Sequence, residues 1–285
     1  MSAARARPAG AGGDSPATRR QLLKDTGRAA GGALLFSLPM MMTQEMWQLG
    51  YTMPDVRLLV LVALILPLLM ELSRQLGLQH SSDWRQNLLE ALYACAVGAA
   101  VSAAILVCFG VLDATMSLRE IVGKVALQAV PAAIGALLAR SQMGSSAGDR
   151  IGDRKETYAG ELFLMAVGAL FLGFNIAPTE ETILISFRMS PWHGVATVLL
   201  SLAIMHGFVF AVGFKGGSEL EPDTPWWAAF VRFTLPGYAV ALTISLAVLW
   251  MFGRTYDTSL MEIVMATIVL ALPSSVGAAA ARLIL

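Results

Sequence analysis

Residues 168–191 read GALFLGFNIAPTEETILISFRMSP, an apolar segment that carries two adjacent carboxylates, Glu180 and Glu181, after a proline. A second stretch, 32-GALLFSLPMMMTQEMWQLGYTMP-54, aligns with it from its first residue and places Glu45 on Glu181. The chain therefore repeats an apolar segment with an acidic residue inside it.

Composition indicates a membrane protein. Of the 285 residues, 56% are hydrophobic and 14% are charged, whereas soluble domains carry about 25% charged residues. The net charge is zero, which argues against a nucleic-acid-binding surface. Cys95 and Cys108 lie in one apolar run and are interpreted as packing residues. We predict no cofactor, and the sequence leaves open whether a metal binds.

Apolar runs long enough to cross a bilayer, about 20 residues each, recur along the chain. We predict an all-α polytopic membrane protein with about eight transmembrane helices. The predicted spans are 30–51, 56–77, 87–111, 118–140, 159–187, 192–214, 227–252 and 259–283. Pro39 and Pro178 lack a backbone N–H, so the first and fifth spans should kink or break near them, the fifth at about residues 175–177.

The ends of the two halves also match. Residues 117–140 read SLREIVGKVALQAVPAAIGALLAR and residues 259–282 read SLMEIVMATIVLALPSSVGAAAAR, with eleven identities in 24 positions. Each half then holds four spans, and an even number makes both halves enter the membrane from the same side. We therefore predict two parallel four-helix repeats related by a pseudo-twofold axis along the membrane normal.

Four segments follow from this division. Residues 1–28, rich in Ala, Gly, Pro and Arg, are predicted to be a disordered cytoplasmic tail. Residues 29–140 form the first repeat, 141–157 a cytoplasmic linker and 158–285 the second repeat. The segment 18–24 is similar to a twin-arginine export signal, but the apolar run after it is too long and lacks a cleavage site.

Basic residues divide unevenly between the two ends of the predicted spans. Fourteen lie on one side: Arg5, Arg7, Arg19, Arg20, Lys24, Arg28, Arg74, Arg85, Arg140, Arg150, Arg154, Lys155, Lys215 and Arg282. Four lie on the other side: Arg57, Arg119, Arg188 and Arg254. Because Lys and Arg concentrate in cytoplasmic loops, we predict that both termini are cytoplasmic.

The polar residues beside the two prolines form the leading candidate site. A carboxylate near mid-membrane costs about 2.5–3.5 kcal/mol unless it is paired, protonated or hydrated. Broken helices with polar residues at the break are a common way to build ion sites. The acidic members are Glu45, Glu180 and Glu181, and the helpers are Thr43, Gln44, Thr179 and Asn175. The alternative is that these acids lie at the outer surface, near interfacial aromatic residues.

Two more polar residues align between the halves. His206 and Glu71 fall at matching positions of the sixth and second spans. An intramembrane histidine can carry protons or bind a cation, or it can contact a backbone carbonyl. Glu71 precedes Arg74 by three residues, which favours a local ion pair.

Other charged residues are expected to pair. Lys124 lies within the fourth span, so we expect either a carboxylate partner, Glu45 or Glu181, or extension of its side chain toward the surface. The alignment of the fourth span with the eighth, extended backwards, places Glu90 and Arg232 at matching positions. This predicts an ion pair across the pseudo-twofold axis, and a one-residue gap near Gly110 and Gly253 would undo the match.

Two acidic residues have a structural interpretation. Ser117 is followed three residues later by Glu120, and Ser259 by Glu262. This spacing is typical of a capping box at the start of a helix. We therefore predict that both glutamates cap helices rather than bind ions.

The whole chain resembles an uncharacterised bacterial family of integral membrane proteins. The resemblance is carried by the segment from Gly168-Ala-Leu-Phe to Asn175-Ile-Ala-Pro-Thr-Glu-Glu181. It implies a multi-pass protein of the bacterial inner (plasma) membrane, and it implies no particular activity.

A shorter segment is similar to the CAAX-type intramembrane proteases. Ala177-Pro-Thr-Glu-Glu181 with Arg188 and His206 resembles their paired glutamates, arginine and first histidine. The similarity is incomplete, because Ile185 stands where the family has its arginine and no second intramembrane histidine is present.

These patterns lead to one main hypothesis and two alternatives. The main hypothesis is a channel or transporter that moves a small cation or protons along intramembrane carboxylates at the repeat interface. The alternatives are a divergent CAAX-type protease and a non-transporting membrane scaffold or sensor. The expected partners are the lipid bilayer and a small cation or proton, and a homo-oligomer is also considered.

Overall fold

The computed structural model describes residues 16–76, 83–143, 157–211 and 226–284, and the regular structure within these ranges is helical. The helices are α1 (Pro16–Met41), α2 (Gln44–Thr52), α3 (Asp55–Gln75), α4 (Trp84–Cys108), α5 (Leu118–Met143), α6 (Tyr158–Ile176), α7 (Glu180–Arg188), α8 (Pro191–Ala211), α9 (Trp226–Ala229), α10 (Leu235–Met251) and α11 (Leu260–Ile284). A π-helical turn, Phe230–Thr234, joins α9 to α10.

Six helical segments of the described ranges are long and apolar enough to cross a membrane. They are α3, α4, α5, α6, the joined segment of α9 and α10, and α11. The chain is therefore a helical, multi-pass integral membrane protein. The other two predicted spans, at α1 with α2 and at α8, are not among these six segments. Their crossing of the membrane stays a prediction.

Two close helix crossings are made by glycine pairs. Gly32 of α1 lies against Gly135 of α5, and Gly168 of α6 lies against Gly277 of α11. A Cβ atom added at any of these four positions would overlap the backbone carbonyl oxygen of the facing glycine. Glycine permits backbones to approach in this way inside a membrane, where dispersion rather than the hydrophobic effect holds helices together.

The first predicted span is a broken helix that runs along α5. Gly32 meets Gly135, while Gly50 of α2 meets Gly123 and Lys124. Residue numbers rise along α1 and α2 as they fall along α5, so the two segments run antiparallel to α5. The N-terminal end of α5 and the end of α2 therefore share one side of the protein.

The two halves meet through aromatic and charged side chains. The rings of Phe36 in α1 and Phe171 in α6 have centroids 4.4 Å apart. The Arg57 guanidinium of α3 lies 5.4 Å from the centroid of the Trp250 ring in α10. One cluster of buried apolar residues includes members from both halves, which makes the core continuous across them.

Matching turns end α4 and α10. Gly110 and Gly253 have positive φ angles of 68° and 76°, which favour glycine. The residue after each glycine donates its N–H back to the helix: Val111 to the Leu106 oxygen and Arg254 to the Leu249 oxygen, both at 2.9 Å. The two halves therefore end these helices with the same backbone conformation.

The N-terminal prediction is wrong for residues 16–28. Helix α1 begins at Pro16, so these residues are helical and do not belong to a disordered tail. Side chains hold this end, since Arg28 pairs with Asp25 at 3.3 Å and the Tyr93 hydroxyl donates to the Thr26 hydroxyl at 2.9 Å. Residues 1–15 and 144–156 lie outside the described residues, and with them most of the predicted linker 141–157.

Candidate functional site

The fifth predicted span breaks at the expected place. Helix α6 ends at Ile176 and α7 begins at Glu180, which confirms the predicted break near residues 175–177. Pro178 lies between the two helices, because Thr179 is the N-cap of α7. Pro178 removes a backbone donor, which favours the break here, although α3, α5 and α11 continue through Pro67, Pro131 and Pro273. Pro39 lies inside α1, which ends two residues later at Met41.

The two breaks share a hydrogen-bond arrangement. The Thr43 hydroxyl donates to the Met40 carbonyl at 2.9 Å, and the Thr179 hydroxyl donates to the Ile176 carbonyl at 2.8 Å. Each threonine hydroxyl thus binds a carbonyl in the last turn of the preceding helix, where carbonyls lack partners within the helix. Neither hydroxyl caps the following helix. The first N–H groups of α2 and α7 therefore lie uncapped beside the glutamates.

A different side chain secures each break. In the first half, the Trp47 indole N–H donates to the Met41 carbonyl at 2.7 Å. In the second half, the Arg254 guanidinium donates to the Pro178 carbonyl. The role of Arg254 was not predicted from the sequence. Its position directly after the turn glycine Gly253 was the available signal, because that turn ends α10 beside the break.

The side chains of the candidate carboxylates are at least partly exposed. Glu180 and Glu181 are exposed and Glu45 is half-buried. Across the described ranges, none of the ion pairs includes these three residues. Each lies in the first turn of its helix, where the helix dipole stabilises a negative charge.

The helper residues are close to the breaks but make mainly local contacts. Gln44 is exposed at the start of α2. The Asn175 side-chain amide donates to the Phe171 carbonyl at 2.7 Å, within its own helix. The Asn175 side-chain oxygen is buried and has no hydrogen-bond partner among the described residues.

Lys124 is buried and pairs with a carboxylate other than the two predicted. Its ammonium lies 2.8 Å from Glu120, one turn earlier in α5, and also donates to the Val111 carbonyl at 3.3 Å. The predicted partners, Glu45 and Glu181, were wrong. The ammonium extends toward the N-terminal end of α5 but stays buried, because the Lys124 side chain is 7% exposed, so it does not reach the surface as the alternative predicted.

The two capping boxes differ. In the second half the box is complete, since Ser259 N–H donates to the Glu262 carboxylate at 3.0 Å and Glu262 N–H donates to the Ser259 hydroxyl at 3.3 Å. In the first half Glu120 N–H donates to the Ser117 hydroxyl at 3.3 Å, but the Glu120 carboxylate binds Lys124 instead. The predicted capping role is therefore half correct for Glu120.

The predicted pair of Glu90 and Arg232 is wrong. Glu90 binds Arg140, and the Arg140 guanidinium also lies 4.9 Å from the Tyr93 ring centroid. Arg232 is exposed and lies near the ring of the adjacent Phe233. The physical reason is register, because matching the turn glycines that end α4 and α10 places Glu90 on Phe233 and not on Arg232.

Glu71 forms the predicted local ion pair. Its carboxylate accepts from the Arg74 guanidinium at 2.5 and 2.7 Å and from the Gln75 amide at 2.6 Å. This arrangement neutralises the charge near the end of α3 and leaves Glu71 a structural residue.

His206 lies at the π-helical turn. Its Nδ1 atom is 2.9 Å from the Thr234 hydroxyl, and its ring packs edge-on against Phe230 at 5.3 Å. The half-buried ring thus joins α8 to the start of α10. Among the described residues, no group of three or more His, Cys, Asp or Glu side chains could hold a metal ion.

One loop carboxylate outside the spans is fixed by hydrogen bonds. The Thr115 hydroxyl and N–H donate to Asp113 at 2.5 and 2.7 Å, and these bonds lower the pKa of the Asp113 carboxyl. They order the loop that brings the Val111 carbonyl to Lys124.

Comparison with known proteins gives a family and no close relative. Residues 25–285 match the model of a family described as "Putative integral membrane protein (DUF2391)". No curated protein and no solved structure matches the chain.

Proposed function

We propose that this chain, which belongs to the DUF2391 family of integral membrane proteins, is a channel or transporter for a small cation or protons. The observation that supports this function most is the broken helix that each half carries. At both breaks a helix ends, a threonine binds a carbonyl of its last turn, and the first turn of the next helix carries a carboxylate with no ion pair among the described residues. Glu45 and Glu181 are the proposed binding residues, with Glu180, Thr43 and Thr179 beside them.

The proposed architecture is two parallel four-helix repeats, with eight spans in all. The glycine crossing of α1 with α5 and that of α6 with α11 support it, since they occupy matching positions. So do the positive-φ glycines that end α4 and α10. In such an arrangement the two breaks face a shared axis, where binding sites of repeat-built transporters are found.

The chemistry of the breaks fits a hard cation or a proton. Carboxylate, hydroxyl and carbonyl oxygens bind such ions. The exposure of Glu180 and Glu181 supports access by water, without which neither carboxylate could exchange an ion.

We further propose the inner membrane of a bacterium as the location, with both termini in the cytoplasm. The uneven division of basic residues supports this orientation. An assembly of several copies stays a prediction.

The test is flux through proteoliposomes made with the double variant Glu45→Gln, Glu181→Gln. Glutamine keeps the size of the side chain and removes its charge, so flux of the transported ion should be lost while the fold is kept. Glu262→Gln is the matched control, because that carboxylate serves the α11 cap. Equal cation and proton flux in the double variant and the unchanged protein would reject the proposal.

A further inference from the structure

A groove lies on the surface formed by the end of α10 and the start of α11. It has a volume of about 480 Å³, and its wall is formed by Thr243, Leu246, Ala247, Trp250, Thr255 and Ile263. This volume falls within the range of about 300–1,000 Å³ that is typical of small-molecule sites. Along α10 the groove extends over seven residues, which is about 10 Å of helix.

The wall of the groove is apolar and faces outward. Leu246 is 44% exposed and Trp250 is 46% exposed. The Thr243 hydroxyl donates to the Ala239 carbonyl of its own helix at 2.8 Å, so this polar atom is already paired. Helix α10 belongs to a segment that is long and apolar enough to cross a membrane. In that setting a hydrocarbon chain fills an apolar groove more favourably than water does.

A guanidinium lies beside the same tryptophan. The Arg57 Cζ atom is 5.4 Å from the centroid of the Trp250 ring, and a Cβ atom at Gly253 would lie 2.8 Å from Arg57 Nη1. Arg57 is half-buried, and none of the ion pairs within the described part of the chain includes it. Its positive charge can therefore bind an anion at the end of the groove.

The position of this charge fits a lipid phosphate. Trp250 is the second-last residue of α10, and tryptophan is enriched at the boundary between membrane and water, where lipid headgroups lie. Thr255 belongs to both the groove and the turn that follows α10, and its hydroxyl can donate to a phosphate oxygen. The residue of α4 that matches Trp250 is Val107, so the first half lacks the ring.

We propose that a phospholipid binds here, with one acyl chain in the groove and its phosphate at Arg57. Arginine presents a planar set of N–H donors that matches the oxygens of a phosphate. The lipid would contact α3 of the first half and α10 and α11 of the second, and so join the two halves at this end. The site goes beyond the proposed transport and does not depend on it.

Native mass spectrometry of the detergent-solubilised protein measures this binding. Phosphatidylglycerol is added to delipidated protein, and the dissociation constant of the first bound lipid is compared between variants. Arg57→Gln removes the charge and Ala247→Phe fills part of the groove, so each should weaken binding at least about tenfold.

Two matched variants serve as controls. Arg188→Gln removes an exposed arginine at the end of α7, and Ala239→Phe adds a ring at an exposed position of α10 two turns before Ala247. Both should bind the lipid as tightly as the unchanged protein. Every variant must elute as the unchanged protein does in gel filtration.

Four results would overturn the inference. If Arg57→Gln and Ala247→Phe bind as tightly as the controls, lipid only surrounds the protein. If only one of these two variants binds more weakly, the phosphate and the acyl chain do not share the site. If glycerol phosphate, which has no acyl chain, binds as tightly as the lipid, the groove plays no part. A dimer that Ala247→Phe separates into monomers would show that a second copy covers the groove.

Discussion

Glu120 shows why the contact that a charged side chain makes is hard to predict from sequence. The sequence offers it two partners, Ser117 three residues before and Lys124 four residues after. A capping box and an i,i+4 ion pair are each stabilising, and in α5 the Glu120 carboxylate turns to Lys124 rather than to the Ser117 N–H. The buried ammonium takes the carboxylate, because an unpaired buried charge costs more than a missing cap. Glu262 faces no such choice, since Ala266 stands where the first half has Lys124.

The Lys124 pair should be worth more than a surface ion pair. The Lys124 side chain is 7% exposed and Glu120 is 27% exposed. Glu120→Ala leaves the ammonium buried without its carboxylate, so we expect a loss of about 2 kcal/mol of stability, between the values of surface and buried pairs. Thermal unfolding in detergent measures it.

The double variant is the control for that experiment. Glu120→Ala with Lys124→Ala removes both charges and copies the alanine of the second half, so it should be more stable than Glu120→Ala alone. A single variant that unfolds at the same temperature as the unchanged protein would mean that the pair contributes nothing.

Gln128 was missed for a different reason. A lone glutamine in an apolar helix gives no sequence pattern that distinguishes a satisfied amide from an unsatisfied one. Only the packing of the helices reveals that its described neighbours offer the amide no hydrogen-bond partner.

At the scale of elements, the breaks were predictable and the helix start was not. Pro178 removes a backbone donor and is followed by two acidic residues that favour a helix start, so a break near it was expected. The start of α1 at Pro16 depends on side-chain contacts, such as Tyr93 with Thr26, between distant parts of the chain. Composition alone assigned that segment to a disordered tail.

The glycine crossings give an element-scale prediction with an adjacent control. Gly32→Ala places a methyl group against the Gly135 carbonyl, so it should force α1 from α5 and cost about 1–3 kcal/mol. Gly31→Ala meets nothing within 4 Å, so it should be neutral or stabilise the helix. Thermal unfolding of the two variants checks the prediction, and equal unfolding temperatures would contradict the close approach.

Arg254 should stabilise the second break. Arg254→Met keeps most of the length of the side chain but removes the donor to the Pro178 carbonyl, so we expect a loss of about 1–2 kcal/mol. Arg188→Met is the control, since that arginine is exposed at the end of α7. Proteolysis between α6 and α7 should also become faster in the Arg254 variant, whereas equal protease sensitivity of both variants would count against the contact.

At the scale of the whole molecule, composition was sufficient for the class. A chain with 56% hydrophobic residues and only 14% charged residues has to bury its surface in lipid. The contact between the halves was beyond the sequence, because Phe36 and Phe171 are two of many apolar residues that could meet. Ion pairs show the same difference between local and distant contacts. The pair of Glu71 with Arg74, three residues apart, was predictable, whereas the pair of Glu90 with Arg140, on two different helices, was not.

Ion flux in proteoliposomes loaded with pH-sensitive and cation-sensitive dyes decides whether this protein transports. Transport through Glu45 and Glu181 requires flux with the unchanged protein and with Glu262→Gln, a partial loss with Glu45→Gln or Glu181→Gln, and a full loss when both are changed. Transport is excluded if the double variant conducts as well as the unchanged protein, or if the unchanged protein moves neither protons nor cations.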